Sequence, residues 1–437
     1  MSISIIIMLA ILIGTLFVGI SVPMAFFAAT FYMITVGGYD TTFLFPYAYS
    51  KSSSIVLLAI PLYIIAGGII ERGDIGAKLV GFVESLIGNR KGSLGVVAVV
   101  SCAIFGSITG SASATQSVIG SIMWPRMDAA GYEKGKTAAL IASSCLIGGL
   151  IPPSSLMILY AWSTQQNVLA CFMACFVPGI LMTILLSVAY VRMVKNENIN
   201  WEACVPEYES KKEKIAYRRK TMIEAIPALM FPVIVVGGIY AGLMTPTEAA
   251  AVSSVYALVV GFFVYRKLSV RNLYEVVVES AKTIGAIMFM LFMVMMISRI
   301  FIMEDVPQQF LKIILSVTDN KYLILLFVNL FLIIIGMLMD DVSATLLCGP
   351  LLLPTMVAIG VSPVQFAAIL CCNISLGCVT PPCAPNLYLS ARLSKTPINI
   401  MLQPTMQYIL RAWLPLLLIV TYIPAVSLGL PKLMGLV

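Results

Sequence analysis

Long apolar segments recur from one end of this chain to the other, and they constrain its fold more than any other feature. The eight longest are Ile3–Ile20, Ile55–Ile70, Ala170–Tyr190, Ala225–Ile239, Ala249–Val264, Ile284–Ile297, Tyr322–Met339 and Leu414–Leu428. About 20 apolar residues cross a bilayer as a helix. Only 11% of the 437 residues are charged, against about a quarter in an average soluble chain. Because the runs are continuous rather than alternating, we predict an all-α polytopic membrane protein.

The sequence disfavours several classes of protein. It contains no histidine, and so lacks the commonest zinc ligand and the usual proton carrier at neutral pH. Most of its ten cysteines lie inside apolar runs, where cysteine usually acts as a small hydrophobic residue. It has no Gly-x-x-x-x-Gly-Lys-Ser/Thr loop, which disfavours an ATP-driven pump. Met1–Gly38 has neither lysine nor arginine, so we expect the first helix to be retained rather than cleaved as a signal peptide.

One long polar stretch, Arg192–Lys220, divides the chain near its middle. It carries eight basic residues, and the positive-inside rule therefore predicts that it is cytoplasmic. Its five glutamates argue against nucleic-acid binding. We expect a basic linker at 196–221 between a first repeat, 1–195, and a second repeat, 222–437.

The two parts are related in sequence. Gly106 and Ser113–Thr115 match Gly336 and Ser343–Thr345 at a constant separation of 230 residues. After a gap of one residue the separation is 229, and it pairs Pro125 with Pro354, Gly148 with Gly377, and Pro152-Pro153 with Pro381-Pro382. Ordered matches with a single gap indicate duplication.

Each repeat is predicted to contain a re-entrant helical hairpin and then a discontinuous helix. The hairpins are expected at about 92–124 and 322–358, and the discontinuous helices at about 135–162 and 363–391. The second hairpin arms are expected to end at Pro125 and Pro354, and amphipathic stretches at Ile75–Ile87 and Val306–Val317 precede the hairpins. Inverted repeats with broken helices are typical of secondary transporters whose binding site lies near the middle of the membrane.

The two hairpin tips differ in chemistry. The first, Gly106–Thr115, is almost entirely Gly, Ala, Ser and Thr. It suits an uncharged oxygen cage for a hard cation such as Na⁺, although small residues also serve close helix packing. The second tip adds Asp340 and Asp341. Ionised carboxylates at bilayer depth are functional candidates, unless this segment simply ends in water. Cation binding or orientation of the tip is favoured over acid–base hydrolysis, because no nucleophile-and-base set accompanies them.

The discontinuous helices are broken at Gly148–Ser155 and Gly377–Asn386, each by two successive prolines. Prolines leave carbonyls of the preceding turn free, which suits a cation. The helix that restarts presents its positive end, which favours an anion. The alternative is a proline kink without function, which two equivalent breaks make less attractive.

Two other features are interpreted as architecture. Thr245 or Thr247 is expected to cap a helix, with Pro246 in its first turn and Glu248 complementing the dipole. Arg126 follows the first hairpin and is expected to extend to an interface rather than to meet a substrate carboxylate.

The first tip, both breaks and the run Gly242–Ala251 together resemble the large membrane subunit of tripartite ATP-independent periplasmic (TRAP) transporters, over almost the whole chain. The resemblance implies an elevator-type secondary transporter of the bacterial inner membrane, with a scaffold and a transport domain. It implies Na⁺ as coupling ion, no other cofactor, and import of an organic acid anion such as a dicarboxylate, sialic acid, keto acid or sugar acid. It also implies two partners, a small four-helix membrane subunit, expected as a separate chain, and a periplasmic substrate-binding protein.

The same resemblance implies the site residues. One sodium site would use Ser107, Thr109, Ser111 or Ser113 with carbonyls near Gly148 and Pro152. The other would use Asp340, Asp341 or Ser343 with carbonyls near Gly377 and Thr380. The substrate would lie between the tips against Gly110, Ser111, Ser154, Ser155, Pro382 and Asn386. Cys378 and Cys383 are not assumed to be typical of the family.

Two alternatives stay open at this point. A stand-alone sodium/dicarboxylate symporter of the two-hairpin type shares the repeat logic but needs no binding protein. An intramembrane aspartyl enzyme would need a second carboxylate to face Asp340 or Asp341, taken from Glu71, Asp74 or Glu248.

Overall fold

The computed structural model describes residues 3–73, 75–87, 90–197, 199–200 and 211–437, and this part of the chain is helical throughout. The helices of the first repeat are α1 (Ile3–Phe17), α2 (Val22–Thr35), α3 (Thr41–Ser52), α4 (Ala59–Arg72), α5 (Ile75–Ile87), α6 (Ser93–Thr109), α7 (Ala112–Ala129), α8 (Lys134–Ser144), α9 (Ile147–Leu150), α10 (Ser155–Thr164) and α11 (Val168–Val194). Those of the second are α12 (Lys211–Tyr240), α13 (Pro246–Val259), α14 (Val270–Met303), α15 (Val306–Val317), α16 (Lys321–Leu338), α17 (Asp341–Ala358), α18 (Pro363–Val379), α19 (Pro385–Ser394), α20 (Ile398–Tyr408), α21 (Leu414–Tyr422) and α22 (Pro424–Leu433). A 3₁₀ turn, Ile55–Leu58, precedes α4, and π-helical turns Val260–Val264 and Ile409–Trp413 follow α13 and α20.

Membrane-spanning helices account for the apolar sequence. Within the described residues, seven helices are long and apolar enough to cross a bilayer, or nine if each of two bent pairs counts as one span. The amphipathic helices α5 and α15 have the bounds expected from the sequence. Helix α12 already begins at Lys211, inside the range expected to be a linker, while residues 198 and 201–210 of that range lie outside the described residues.

Several prolines act differently from the sequence expectation. Helices α7 and α17 continue past Pro125 and Pro354, to Ala129 and Ala358. A single proline removes one amide donor, but the following residues still bond back along the helix, so the last turn survives. Conversely, the apolar run Leu414–Leu428 is not one helix, because the chain bends by 63° where α22 begins at Pro424.

The capping prediction at α13 is confirmed. Thr245 caps the helix and Glu248 bonds back to the main chain of Thr245, which gives a complete capping box with Pro246 in the first turn. This run is therefore structural.

Hydrogen bonds between the repeats show that the repeats are inverted. Tyr160, near the end of α10, donates to Pro363 O at the start of α18 over 2.7 Å. Ser390, near the end of α19, donates to Ala138 O near the start of α8 over 2.7 Å. The two discontinuous helices therefore run antiparallel to each other.

The helices form two groups, with the amphipathic helices between them. We define the outer group as α1–α4 with α12–α14, in which α4 packs against α13 and α14. The inner group comprises the hairpins, the discontinuous helices and the helices that close each repeat, α6–α11 with α16–α22. Helix α5 packs against both α12 and α6, and α15 packs against both α14 and α17. Each amphipathic helix therefore contacts both groups.

Candidate functional site

The first hairpin turns within two residues. Helix α6 ends at Thr109, Gly110 adopts the left-handed conformation with φ of +60°, and Ser111 caps α7 by accepting from Ala114 N–H. Glycine suits that conformation, in which a side chain would be strained. The tip therefore brings Thr109, Gly110 and Ser111 to one point, with the hydroxyl of Ser113, two residues farther along, 3.2 Å from that of Ser111.

The second hairpin has the same geometry with a carboxylate in place of the hydroxyl. Asp340 caps α17 by accepting from Ser343 N–H over 3.3 Å, as Ser111 caps α7. Ser111 and Asp340 are 229 residues apart, whereas the sequence alignment pairs Ser111 with Asp341 at 230. By this structural equivalence the one-residue gap lies within the tip, between Gly106 and Ser111, and not after it. Asp341 accepts from its neighbour Val342 N–H over 3.0 Å.

Pairs of glycines hold each hairpin against the discontinuous helix of its own repeat. A Cβ atom added at Gly106 would lie 2.5 Å from the Cα of Gly148, and one added at Gly377 would lie 2.5 Å from the carbonyl carbon of Gly336. No real Cβ contact is that short, so both crossings depend on glycine. The sequence repeat aligns Gly106 with Gly336 and Gly148 with Gly377, and the close crossings explain why both repeats have glycine at these positions.

Each discontinuous helix is interrupted at its paired prolines. The first changes direction by 45° between Leu150 and Ser155. The second is interrupted between the end of α18 at Val379 and the start of α19 at Pro385. Ser155 Oγ donates to Gly110 O over 2.9 Å, which fixes the restarted helix to the tip of hairpin 1.

A cavity of about 540 Å³ lies where the tips and the restarted helices meet the outer group. The predicted site residues that line it are Thr109, Gly110, Ser111, Ser113, Ser155, Asp340, Asp341 and Asn386. Those that do not line it are Ser107, Gly148, Pro152, Ser154, Ser343, Gly377, Thr380 and Pro382. Ser107 donates to Ile104 O of its own helix over 2.7 Å, and Ser343 donates to Asp340, so neither hydroxyl faces the cavity.

Ser154 and Ser155 occupy different environments although they are adjacent. Ser155 lines the cavity, whereas Ser154 is 1% exposed. Among the described residues, the Ser154 hydroxyl has no hydrogen-bond partner. A buried hydroxyl without a partner is costly, and such groups often mark the place of an ion or water.

Apart from Glu71, named above as a possible partner of Asp340 or Asp341, sequence reasoning missed the outer wall of the cavity. This wall is formed by α4 and α14, with polar or charged side chains of Tyr63, Glu71, Arg72, Glu279, Ser280 and Thr283. Arg72 pairs with Glu279 over 3.3 Å and with Glu275 over 3.6 Å, which joins the two helices. The sequence did contain one signal for this wall: Glu275 and Glu279 are four residues apart and therefore lie on the same face of a helix.

Other charged candidates lie elsewhere. Arg126 pairs with Glu84 on α5 rather than entering the cavity, and Glu248 belongs to the capping box of α13. Asp74 lies outside the described residues. Of the three carboxylates proposed to face Asp340 or Asp341, only Glu71 is described on the same cavity.

Four helices begin at this cavity. They are α7, α10, α17 and α19, two from each repeat, and residues of their first turns form part of its lining. A helix N-terminus carries about half a positive charge and free N–H groups. The hydroxyls of Ser113 and Ser155 and the amide of Asn386 add uncharged hydrogen-bonding groups. This arrangement favours an anion between the tips, with helix C-terminal carbonyls behind them.

Comparison with known proteins identifies the family. Residues 5–426 match the family model of the DctM component of the tripartite ATP-independent periplasmic transporter. The isethionate TRAP transporter permease protein DctMQ of Oleidesulfovibrio alaskensis is 34% identical over 94% of this chain, which spans 64% of that protein. The C4-dicarboxylate TRAP transporter large permease protein DctM of Pseudomonas aeruginosa is 32% identical over 89% of this chain and 88% of its own length.

A solved structure shares the fold. The YdaH transporter of Alcanivorax borkumensis aligns with a TM-score of 0.60 and 14% identity, over 87% of each chain. The sequence relatives are permease components rather than enzymes, so the aspartyl-enzyme hypothesis is set aside. The chain belongs to the family of DctM components of tripartite ATP-independent periplasmic transporters, as the large permease component and a multi-pass protein of the inner membrane.

Proposed function

We propose that this chain imports an organic acid anion, coupled to sodium, by an elevator movement of the inner group of helices. The convergence of four helix N-termini on one cavity is the observation that carries the proposal. The helix N-termini, with the uncharged side chains of Ser113, Ser155 and Asn386, can stabilise a carboxylate or sulfonate without an ion pair. Arg72 on the outer wall is paired with Glu275 and Glu279.

Sodium binding is proposed behind the tips, where helices end rather than begin. In the first repeat, Thr109 and the C-terminal carbonyls of α9 supply oxygen, and the unpartnered Ser154 hydroxyl adds a buried one. We therefore propose Ser154 as a cation ligand instead of a substrate ligand. In the second repeat, Asp340 and Asp341 supply carboxylate oxygens close to the end of α18. The two sites then differ in charge.

An elevator movement is supported by the position of the cavity. It lies on the boundary between the inner and outer groups, with tips and restarted helices on one side and α4 and α14 on the other. A substrate bound there could travel with the inner group past a fixed outer wall. The amphipathic helices α5 and α15 contact both groups and are suited to accommodate the shift.

The present conformation is proposed to face the cytoplasm. Helix α14 begins shortly after Arg266 and Lys267, which the positive-inside rule predicts to be cytoplasmic. The cavity extends from the tips to Arg72 and to the first half of α14. On the other side, Ser343 of hairpin 2 contacts Met290 of α14 and closes the path.

Substrate and partners are proposed from the relatives. One is named for isethionate, a sulfonate, and another for C4-dicarboxylates. Both are small organic anions that would fit a cavity of about 540 Å³. A periplasmic binding protein would deliver the anion, and a small four-helix membrane subunit would accompany the chain.

Reconstitution tests the proposal. Proteoliposomes that contain the chain and its small membrane subunit receive the binding protein outside, with labelled succinate or isethionate. We expect an inward sodium gradient to drive uptake only when all three proteins are present. Equal uptake with a potassium gradient would contradict sodium coupling. Robust uptake by this chain alone would instead favour a stand-alone symporter.

A further inference from the structure

A buried glutamine on the first hairpin reaches the second repeat at the cavity wall. Gln116 lies in the second turn of α7 and is 0% exposed. Its Nε2 donates a hydrogen bond to the main-chain oxygen of Asn386 over 3.0 Å. Asn386 lies in the first turn of α19 and lines the cavity. The bond therefore links the hairpin of one repeat to the discontinuous helix of the other.

The orientation of the Gln116 amide is set by its hydrogen bond to Asn386. Its Oε1 lies 3.8 Å from the thiol of Cys145, which also donates to Ala142 O over 3.1 Å. A flipped amide would place Oε1 against the Asn386 carbonyl, where two acceptors would face each other. Burial of an amide is costly unless it is hydrogen-bonded, so this residue holds α19 in one position.

Helix α19 has a second attachment to the first repeat one turn farther on. Ser390 Oγ donates to Ala138 O over 2.7 Å, on α8. Two attachments fix both the position and the rotation of the first turn of α19. The side chain of Asn386, by contrast, has no hydrogen-bond partner within the described part of the chain. Its amide is therefore available to a ligand in the cavity.

We propose that Gln116 is a positioning residue for substrate binding, acting through Asn386. It holds the main chain of residue 386 so that the Asn386 amide faces the anion between the tips. The inference rests on the proposed function, because it requires an anion in this cavity. Beyond that function, the inference states that the position of Asn386 at the anion site depends on a hydrogen bond between the two repeats.

Direct binding tests this role without the binding protein, since the cavity is proposed to be open on the cytoplasmic side. Detergent-purified chain with its small membrane subunit is titrated with succinate and isethionate at saturating sodium, and thermal unfolding reports binding. Gln116→Met keeps the length of the side chain but removes both hydrogen bonds. We expect the half-saturating anion concentration to rise about fivefold or more, as for loss of one buried hydrogen bond. The half-saturating sodium concentration without anion stays at the wild-type value.

A second buried glutamine provides the matched control. Gln365 is 4% exposed, and its Nε2 donates to Thr421 O over 3.2 Å, away from the cavity. Gln365→Met is expected to lower stability as Gln116→Met does, but to leave anion affinity unchanged. In an Asn386→Ala background, which itself weakens binding, Gln116→Met should add nothing further.

The other possible results distinguish failure of this inference from failure of the proposed function. Wild-type anion affinity in Gln116→Met overturns the inference, and so does a full additive loss in the double variant. Unchanged affinity in Asn386→Ala shows that Asn386 does not contact the anion, which also overturns it. A wild-type protein that binds neither anion refutes the proposed function itself, and the inference with it.

Discussion

At the scale of single residues, neighbours on a helix cap serve different sites. The family resemblance implies that Ser154 and Ser155, both at the start of the restarted helix, contact the substrate. In the structure only Ser155 lines the cavity, and Ser154 is buried without a partner among the described residues. The sequence could not separate them, because the side to which a capping residue faces depends on how the break bends.

Ser154→Ala tests the proposed cation role. Loss of one oxygen ligand should raise the half-saturating sodium concentration severalfold, with anion affinity at saturating sodium unchanged. Isothermal titration or sodium-dependent thermal unfolding measures both. Ser427→Ala is the control, because Ser427 is equally buried and unpartnered among the described residues but lies on α22. Equal effects of the two variants would contradict a ligand role for Ser154.

Two substitutions of Asp340 can separate the effect of its negative charge from the effect of its helix cap. Asn is as good an N-cap as Asp, whereas Ala costs about 0.5–2 kcal/mol of helix stability. Asp340→Asn should therefore keep the thermal stability of the protein but weaken its sodium dependence, because the carboxylate charge is lost. Asp340→Ala should lower the thermal stability and also weaken the sodium dependence. If Asp340→Asn retains the sodium affinity of the wild type, Asp340 serves only as a cap.

The polar residues of the tips were predictable, and the outer wall was not. Thr109, Ser111 and Asp340 stood out because apolar arms flank them on both sides. Glu71 and Arg72 follow an apolar run and resemble an ordinary interfacial end of a helix. Only the packing of α4 against α14 brings them to the cavity.

At the scale of elements, paired prolines break helices here and most single ones do not. Pro125 and Pro354 lie within α7 and α17, whereas Pro152-Pro153 and Pro381-Pro382 lie in interruptions. One missing donor leaves the neighbouring hydrogen bonds intact, while two in succession remove a full segment of the ladder. This difference explains why the order of the elements was predictable but some of their ends were not.

The glycine crossings make a prediction about hairpin 1. Gly106→Ala places a Cβ atom 2.5 Å from the Cα of Gly148, so the hairpin must shift. Overpacking of this kind costs about 1–3 kcal/mol, and we expect a lower unfolding temperature and weaker sodium binding.

Gly81→Ala is the control for this substitution. Gly81 lies in helix α5 with no atom within 4 Å of an added Cβ. Alanine there should be neutral or stabilise the protein by about 0.5–1 kcal/mol. If Gly106→Ala is tolerated as well as Gly81→Ala, the close crossing is not a constraint on the folded state.

At the scale of the whole molecule, the boundary between the two groups can be locked. In a background without the ten native cysteines, Met290→Cys and Ser343→Cys place thiols on α14 and α17, one on each group. Bridging them with Hg²⁺ should abolish uptake, and removal of the metal should restore it. A pair within the outer group, Leu62→Cys with Ser254→Cys, should leave uptake intact when bridged. Undiminished uptake with the first pair bridged would contradict movement at this boundary.

The duplication itself was readable, but its register was not. The sequence matches placed the one-residue gap after the tip, because Ser113–Thr115 and Ser343–Thr345 are identical. Capping geometry places the gap within the tip, between Gly106 at the glycine crossing and the cap at Ser111. At the hairpin tips, aligning identical side chains and aligning residues with the same capping role therefore give pairings that differ by one residue.

The meeting of four helix N-termini bears on the direction of transport. Two come from each of two inverted repeats, so the helix N-termini contribute similarly on both sides of the cavity, while carboxylates come from the second tip alone. The helix N-termini therefore give a bound anion no preference for one exit. Under the proposed function, the chain would act as a reversible carrier, with the direction of net transport set by the sodium gradient and the delivery partner. Proteoliposomes with the gradient reversed should export the same anion.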